Sequence, residues 1–232
     1  MNEELKNNYD RSIDFWNQAL VFSAGDFDGI DKAKDWKDIG STGLFELMSK
    51  AVSGWDNVLD YGCGTGWADV ILAKGGAGRI KAVDVAQSAV ESAKLYAAAF
   101  DSADAVSYEA VDVNWLGAQP KATYDYALCC NVLDVIPMEV AEGIIADLSK
   151  VCKKGAKVLV TLNPFFTEEM RNRDGVTYEA PYMYVNGILR VNNHTDEEWS
   201  DIFSRYFTID KLEHFKWDAE QVERRRLFHL QK

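Results

Sequence analysis

The chain has 232 residues, 47% of them hydrophobic and 27% charged, with a formal net charge of −12. That length and balance suit one globular domain with its own core. The acidity argues against nucleic acid as partner, because a phosphate backbone is met by Lys and Arg.

Residues 3–22 place Leu5, Tyr9, Ile13, Trp16 and Leu20 at helical spacing, which predicts an amphipathic N-terminal helix. The Asp-rich stretch 25–40 reads as loop, and Ser41 as the N-cap of a helix over 42–52. Apolar strands are then predicted near 57–62, 79–85, 105–111, 124–131 and 157–163, alternating with helices near 66–74, 87–100 and 138–152. Such alternation predicts a parallel sheet covered by helices on both faces. Residues 163–193 carry Phe165, Phe166, Tyr178, Tyr182 and Tyr184, with Gly175 and Gly187 as turn points. Thr195 and Glu198 have the spacing of a capping box for a late helix. Residues 208–217 and 226–231 read as a closing hairpin, on which Arg224, Arg225 and Arg226 are expected to form a solvated face.

The four cysteines, Cys63, Cys129, Cys130 and Cys152, show no C-x-x-C pair and no zinc spacing, so they read as free thiols in a reducing compartment and no metal is expected. The residues after Met1 have neither a basic nor an apolar leader region, and no run approaches a membrane span. The expectation is a cytoplasmic protein with no membrane partner.

Most of the chemistry is concentrated in Asp60-Tyr61-Gly62-Cys63-Gly64-Thr65-Gly66, between the first core strand and its helix. Glycine lacks Cβ, so such a turn uses positive φ and lets a ligand approach the main chain. The N–H groups that open the following helix then face an anionic group. Asp84, at the end of the next apolar stretch, can accept both hydroxyls of a ribose. Loop and carboxylate together predict a nucleoside-containing cofactor on a doubly wound sheet. The dinucleotide pattern G-x-G-x-x-G would put its third glycine where Trp67 stands, so a dinucleotide oxidoreductase is the weakest reading.

The spacing instead resembles motif I of the class I S-adenosylmethionine-dependent methyltransferases, D-x-G-x-G-x-G. Val83-Asp84-Val85 with the helical run from Ser88 resembles that family's second strand and helix. Glu109 to Val113 resembles its adenine-contacting segment, and Tyr124 to Leu133 its fourth strand and active-site end. The resemblance spans about residues 57–163. It implies a Rossmann-like, doubly wound seven-stranded sheet, mostly parallel with an antiparallel last strand, under an N-terminal helical cap. It also implies a single domain divided into a cap (1–54), a cofactor-binding core (55–163), a substrate-side insertion (164–194) and a last helix with its hairpin (195–232).

The implied cofactor is S-adenosylmethionine, leaving as S-adenosylhomocysteine. Its methionine carboxylate suits the amides of Gly62, Cys63, Gly64, Thr65 and Gly66, and its ammonium suits Asp60 or a loop carbonyl. Asp84 with Val85 takes the ribose, Asp112 and Val113 take the adenine, and Asn131 with Val132 stands at the active-site end. Tyr9 and Trp16 can cap the adenosine or approach the sulfonium through cation–π attraction. The expected partner is a small-molecule acceptor methylated on O or N, contacted by Trp36, Tyr184, Arg190 and His194, with His194 the candidate base. The alternatives are a protein methyltransferase, whose acidic surface meets basic substrates, and a catalytically silent binding module. Asn163-Pro164-Phe165-Phe166 is similar to the N-P-P-[FY] signature of amino-nitrogen methyltransferases, but it follows the fifth strand where that signature follows the fourth. It is read as strand-end turn chemistry, with Phe165 and Phe166 near the acceptor.

Overall fold

Strand β1 (Asn57–Tyr61) is buried almost throughout because helices cover it from both faces. In the structure, a computed structural model, residues 3–19, 21–52 and 54–232 are described, with backbone alone for Glu4 and Leu5. β1 pairs in parallel with β2 (Arg79–Asp84) on one side and β4 (Tyr124–Cys130) on the other. β3 (Val106–Ala110) extends the sheet beyond β2, and β5 (Cys152–Leu162) extends it beyond β4. β10 (Arg225–Gln231) lies antiparallel between β5 and β9 (Thr208–Phe215). The resulting order, β3-β2-β1-β4-β5-β10-β9, is the expected seven-stranded sheet with an antiparallel last strand. The chain winds outward from β1 to β3 and then returns to β4, so a crevice opens beyond the strand ends at the β1/β4 reversal.

Side chains alternate across the sheet. Val58 packs with α2 (Thr42–Ala51) and α3 (Trp67–Lys74), through Leu44, Met48, Ile71 and Leu72. Leu59 joins the opposite core with α6 (Met138–Val151) and α8 (Asp196–Ser204), through Ile145, Leu148, Trp199 and Phe203. α4 (Gln87–Ala99) covers β2 and β3, and α5 (Trp115–Ala118) rests on α6. The capping box predicted at Thr195 is present, Thr195 Oγ1 accepting from Glu198 N at 3.2 Å. Among the described residues no helix is long and apolar enough to cross a membrane.

The first helix, α1, spans Glu3–Ala19, shorter than predicted; Leu20 lies outside the described residues. The aromatic segment holds a short helix, α7 (Glu168–Arg171), and an antiparallel sheet that the sequence did not announce: β6 (Val176–Glu179), β7 (Tyr182–Val185) and β8 (Ile188–Asn192). This sheet supports α1. Ser12 Oγ donates to the Leu189 carbonyl at 3.0 Å, and the Arg190 guanidinium stacks on Phe15 and Trp16, 4.2 and 5.1 Å from the ring centres.

The arginine triplet is not a solvated face. Arg226 is 1% exposed, with Nε donating to the Asn163 carbonyl at 2.8 Å and Nη1 to the His194 carbonyl at 2.7 Å. Its charge also faces the buried Asp134 carboxylate. A charge run on a strand alternates faces, so one of its members points into the core. Replacing Arg226 with Leu strands two carbonyls and a buried carboxylate. The expected cost is about 3 kcal/mol of unfolding free energy, read from urea denaturation; a loss below about 1 kcal/mol would contradict the buried-anchor role.

Candidate active site

The loop between β1 and α3 is made of three left-handed glycines, Gly62, Gly64 and Gly66, with φ of 77°, 54° and 81°. A Cβ on Gly62 would lie 2.2 Å from Val132 Cγ2, and one on Gly66 2.8 Å from Ala93 Cβ, whereas one on Gly64 would meet nothing within 4 Å. The outer two glycines are therefore required by packing, and the middle one leaves a space for a ligand. Gly62 and Cys63 N–H donate to the Val83 carbonyl at 2.8 and 3.0 Å, and Gly66 N–H donates to the Cys63 carbonyl. Asp84 closes the loop: its Oδ2 accepts from Gly64 N at 2.9 Å and its Oδ1 from Ala86 N at 2.8 Å. Burial pushes the Asp84 carboxyl upward, against the pull of those amides.

Above the loop lies a cavity of about 380 Å³. Gly62, Gly64, Thr65, Asp84, Val85, Asn131 and Val132 line it, as the sequence reading expects, and α1 roofs it with Tyr9 and Trp16. Asn131 holds a left-handed φ of 55°, a conformation Asn tolerates, and its Oδ1 is buried with no hydrogen-bond donor. A second hollow shares Tyr9, Ile13, Val85 and Val111 with the first, and it contains Asp112 and Val113. Asp112 there accepts from Asn114 N at 2.7 Å and steadies the turn.

Other predicted residues stand off the cavity wall. Cys63 and Gly66 are buried within the loop's packing. Trp36 packs on Phe45 and bonds the Ala33 carbonyl. Tyr184 is buried in β7, and Arg190 reaches the cavity only through Trp16. His194 places Nδ1 3.2 Å from Glu198 Oε2 and its ring against Trp199, away from the cavity. Phe165 is exposed. The insertion thus backs the roof and leaves the wall to other residues. Those residues, beyond the sequence reading, include Trp67, Cys130, Asn163, Trp217 and Arg225. In the sequence Asn163 reads as a turn residue and Arg225 as a surface charge. Only the pairing of β10 with β5 brings them together.

Asp60 is also absent from the wall. It lies beneath the loop, 1% exposed, against Asp69 of α3, itself fully buried. Among the described residues no N–H reaches any of their four oxygens; the Tyr108 hydroxyl faces Asp69, and a proton shared between the two carboxyls satisfies the pair. Desolvation raises both side chains; the Asp60 charge raises Asp69 further, while Asp60 is lowered by its hydrogen bond with Asp69 and raised by the charge of Asp84.

Residues 58–155 match a family model described as a methyltransferase domain. The sheet order and the glycine loop agree with this match, and together they support a methyltransferase domain of the class I S-adenosylmethionine-dependent kind over these residues. Among curated relatives, a ubiquinone biosynthesis O-methyltransferase of Neisseria meningitidis is 32% identical over 131 residues, covering 55% of this chain and 54% of the relative. The chain thus spans about half the length of the curated relatives it matches. Among solved structures, N-methyltransferase NodS from Bradyrhizobium japonicum, in complex with S-adenosylhomocysteine, superposes with a TM-score of 0.64 at 16% identity, covering 95% of this chain and 98% of that one. A Burkholderia thailandensis 1,6-didemethyltoxoflavin-N1-methyltransferase gives 0.63 at 14%, covering 86% and 81%. At such identities the two structures speak for the fold.

The carboxyl pair makes stability depend on pH. An unfolded chain releases these protons near the ordinary carboxylate pKa, while the folded chain holds them to higher pH. Ionisation therefore favours the unfolded state, and this contribution to stability falls as pH rises from about 4 toward neutrality. Asp69→Asn should flatten that fall, measured as the urea midpoint between about pH 5 and about pH 8. A variant with the same pH slope as the parent would contradict the shared proton.

Proposed function

We propose that the chain transfers the methyl group of S-adenosylmethionine to an oxygen or nitrogen of a small molecule. The supporting observation is the shape of the cavity, which runs without interruption from Asp84 and the glycine loop to Trp67, Asn163 and Trp217 under one helical roof. The residues present suit the cofactor. The open space over Gly64 admits it, Asp84 offers oriented oxygens to a ribose, and the donor-less Oδ1 of Asn131 suits an ammonium. Tyr9, Ile13, Val85 and Val111 form the apolar walls that the two hollows share, which suit an adenine ring with Asp112 and Val113 at its edge. When bound, the cofactor supplies a methyl group already activated by a sulfonium.

The chain's own work is then alignment and the exclusion of water, which account for much of the rate in reactions of well-held partners. None of the titratable groups on the wall is suited to act as a base near neutral pH. Tyr9 is pushed up to about 12, first by burial, and burial also raises Tyr61 and Cys130. Arg225 only donates, and Asp84, oriented by two amides, is committed to the ribose in this reading. The acceptor therefore brings its own lone pair, as an amine, a ring nitrogen or an acidic hydroxyl does. The four thiols are unpaired, which fits a reducing cytoplasm.

A lysate supplied with methyl-labelled S-adenosylmethionine and the purified protein separates the readings. Label should enter the low-molecular-weight fraction. Label in proteins instead would support a protein methyltransferase, and no label despite cofactor binding would support a silent module.

A further inference from the structure

The end of the cavity farthest from Asp84 has its own chemistry. Asp84 ends β2, whereas Asn163 follows β5 and Arg225 begins β10. Strands lie about 5 Å apart, so β2 and β5, three positions apart, are separated by roughly 14 Å along the crevice. A cofactor held at Asp84 and the glycine loop fills the β2–β1 side and leaves the β5–β10 side to the acceptor.

There the guanidinium of Arg225 is fixed as a plate. It lies 5.0 Å from the centre of the Trp217 ring. Its Nε bonds Glu220 at 3.1 and 3.0 Å, and its Nη2 bonds Glu220 at 2.6 Å. Its Nη1 donates to Asn163 Oδ1 at 2.9 Å. Arg carries donors only, so the Asn163 atom facing it is the oxygen, and Nδ2 must point the other way. The Asn163 backbone is held as well, its N–H donating to Asp134 Oδ2 at 2.6 Å and its carbonyl accepting from Arg226. The Asp134 carboxyl also faces the Asn163 side chain and can take one of the two Nδ2 protons. The second Nδ2 proton and the spare N–H bonds on Nη1 and Nη2 remain. Both residues line the cavity, where Trp67 and Trp217 supply flat apolar surface.

We propose that Asn163 and Arg225 form an acceptor subsite for a planar ring compound carrying a carbonyl-type oxygen, held by donors alone. Glu220 balances the charge of Arg225, so the subsite selects a neutral carbonyl over a phosphate, whose charge would go uncompensated. A conjugated carbonyl also acidifies a hydroxyl on the same ring, which is the kind of nucleophile a wall without a base requires. The assignment rests on the methyl-transfer reading above.

The test is calorimetric titration of the S-adenosylhomocysteine-saturated protein with the three hydroxybenzaldehyde isomers and, as matched controls lacking the oxygen, the three cresols. At least one hydroxybenzaldehyde should bind about tenfold more tightly than its cresol, the worth of one good hydrogen bond. Asn163→Asp, which replaces the donor with an acceptor, should abolish that preference while leaving affinity for S-adenosylhomocysteine unchanged; Arg225→Gln should reduce it. No preference in any pair, or a preference that survives Asn163→Asp, would overturn the subsite. Failure of the parent protein to bind S-adenosylhomocysteine, seen before any ring compound is added, would instead refute the methyl-transfer reading and remove the basis of the subsite.

Discussion

Two hydrogen bonds to one carboxylate hold the site's geometry. Asp84, at the end of β2, accepts from the amides of Gly64 and Ala86, so the loop after β1 is tied to the strand beside it. With the Gly62 and Cys63 amides on the Val83 carbonyl, the loop is stitched to β2 along its first half. Its three left-handed residues are thereby tied down, and a Cβ on Gly64 would meet nothing within 4 Å. A ligand that binds Asp84 meets a carboxylate already oriented, which lowers the entropy lost on binding.

The sheet order converts this local device into a two-ended site. Because the chain reverses at β1/β4, one side of the crevice is built from β2 and the glycine loop and the other from β5 and β10. The first side is a cradle of carboxylate and backbone. The second, with Asn163, Arg225, Trp67 and Trp217, combines fixed donors with aromatic surface. The roof belongs to neither, since α1 rests on the small sheet β6–β8 through Ser12 and Arg190. Fold and roof are thus separable, and the acceptor side is formed by residues distant in sequence.

That separation explains what could be read from the sequence. The glycine loop, Asp84 and the order of strands and helices are local signals, carried by φ requirements, apolar runs and caps. They were legible, as was the capping box at Thr195. The acceptor side was not: Asn163 meets Arg225 across 62 residues and Arg226 across 63, through the antiparallel pairing of β10 with β5. Alternation on that strand puts Arg226 in the core and Arg225 at the cavity, a distinction invisible in a run of three arginines. The small sheet is illegible in the sequence because its strands are only four and five residues long and β8 finds its partner in α1, at the other end of the chain. His194 and Tyr184 looked like site residues by composition, yet their contacts are with α8 and with core.

The central claim is that the cradle of Asp84 and Gly64 is built for S-adenosylmethionine. Calorimetric titration of the purified chain with S-adenosylmethionine and S-adenosylhomocysteine, with NAD as control, tests it most directly. The account predicts affinity of about micromolar strength for both sulfur ligands and no measurable heat with NAD. Binding of NAD with silence toward the other two would contradict it.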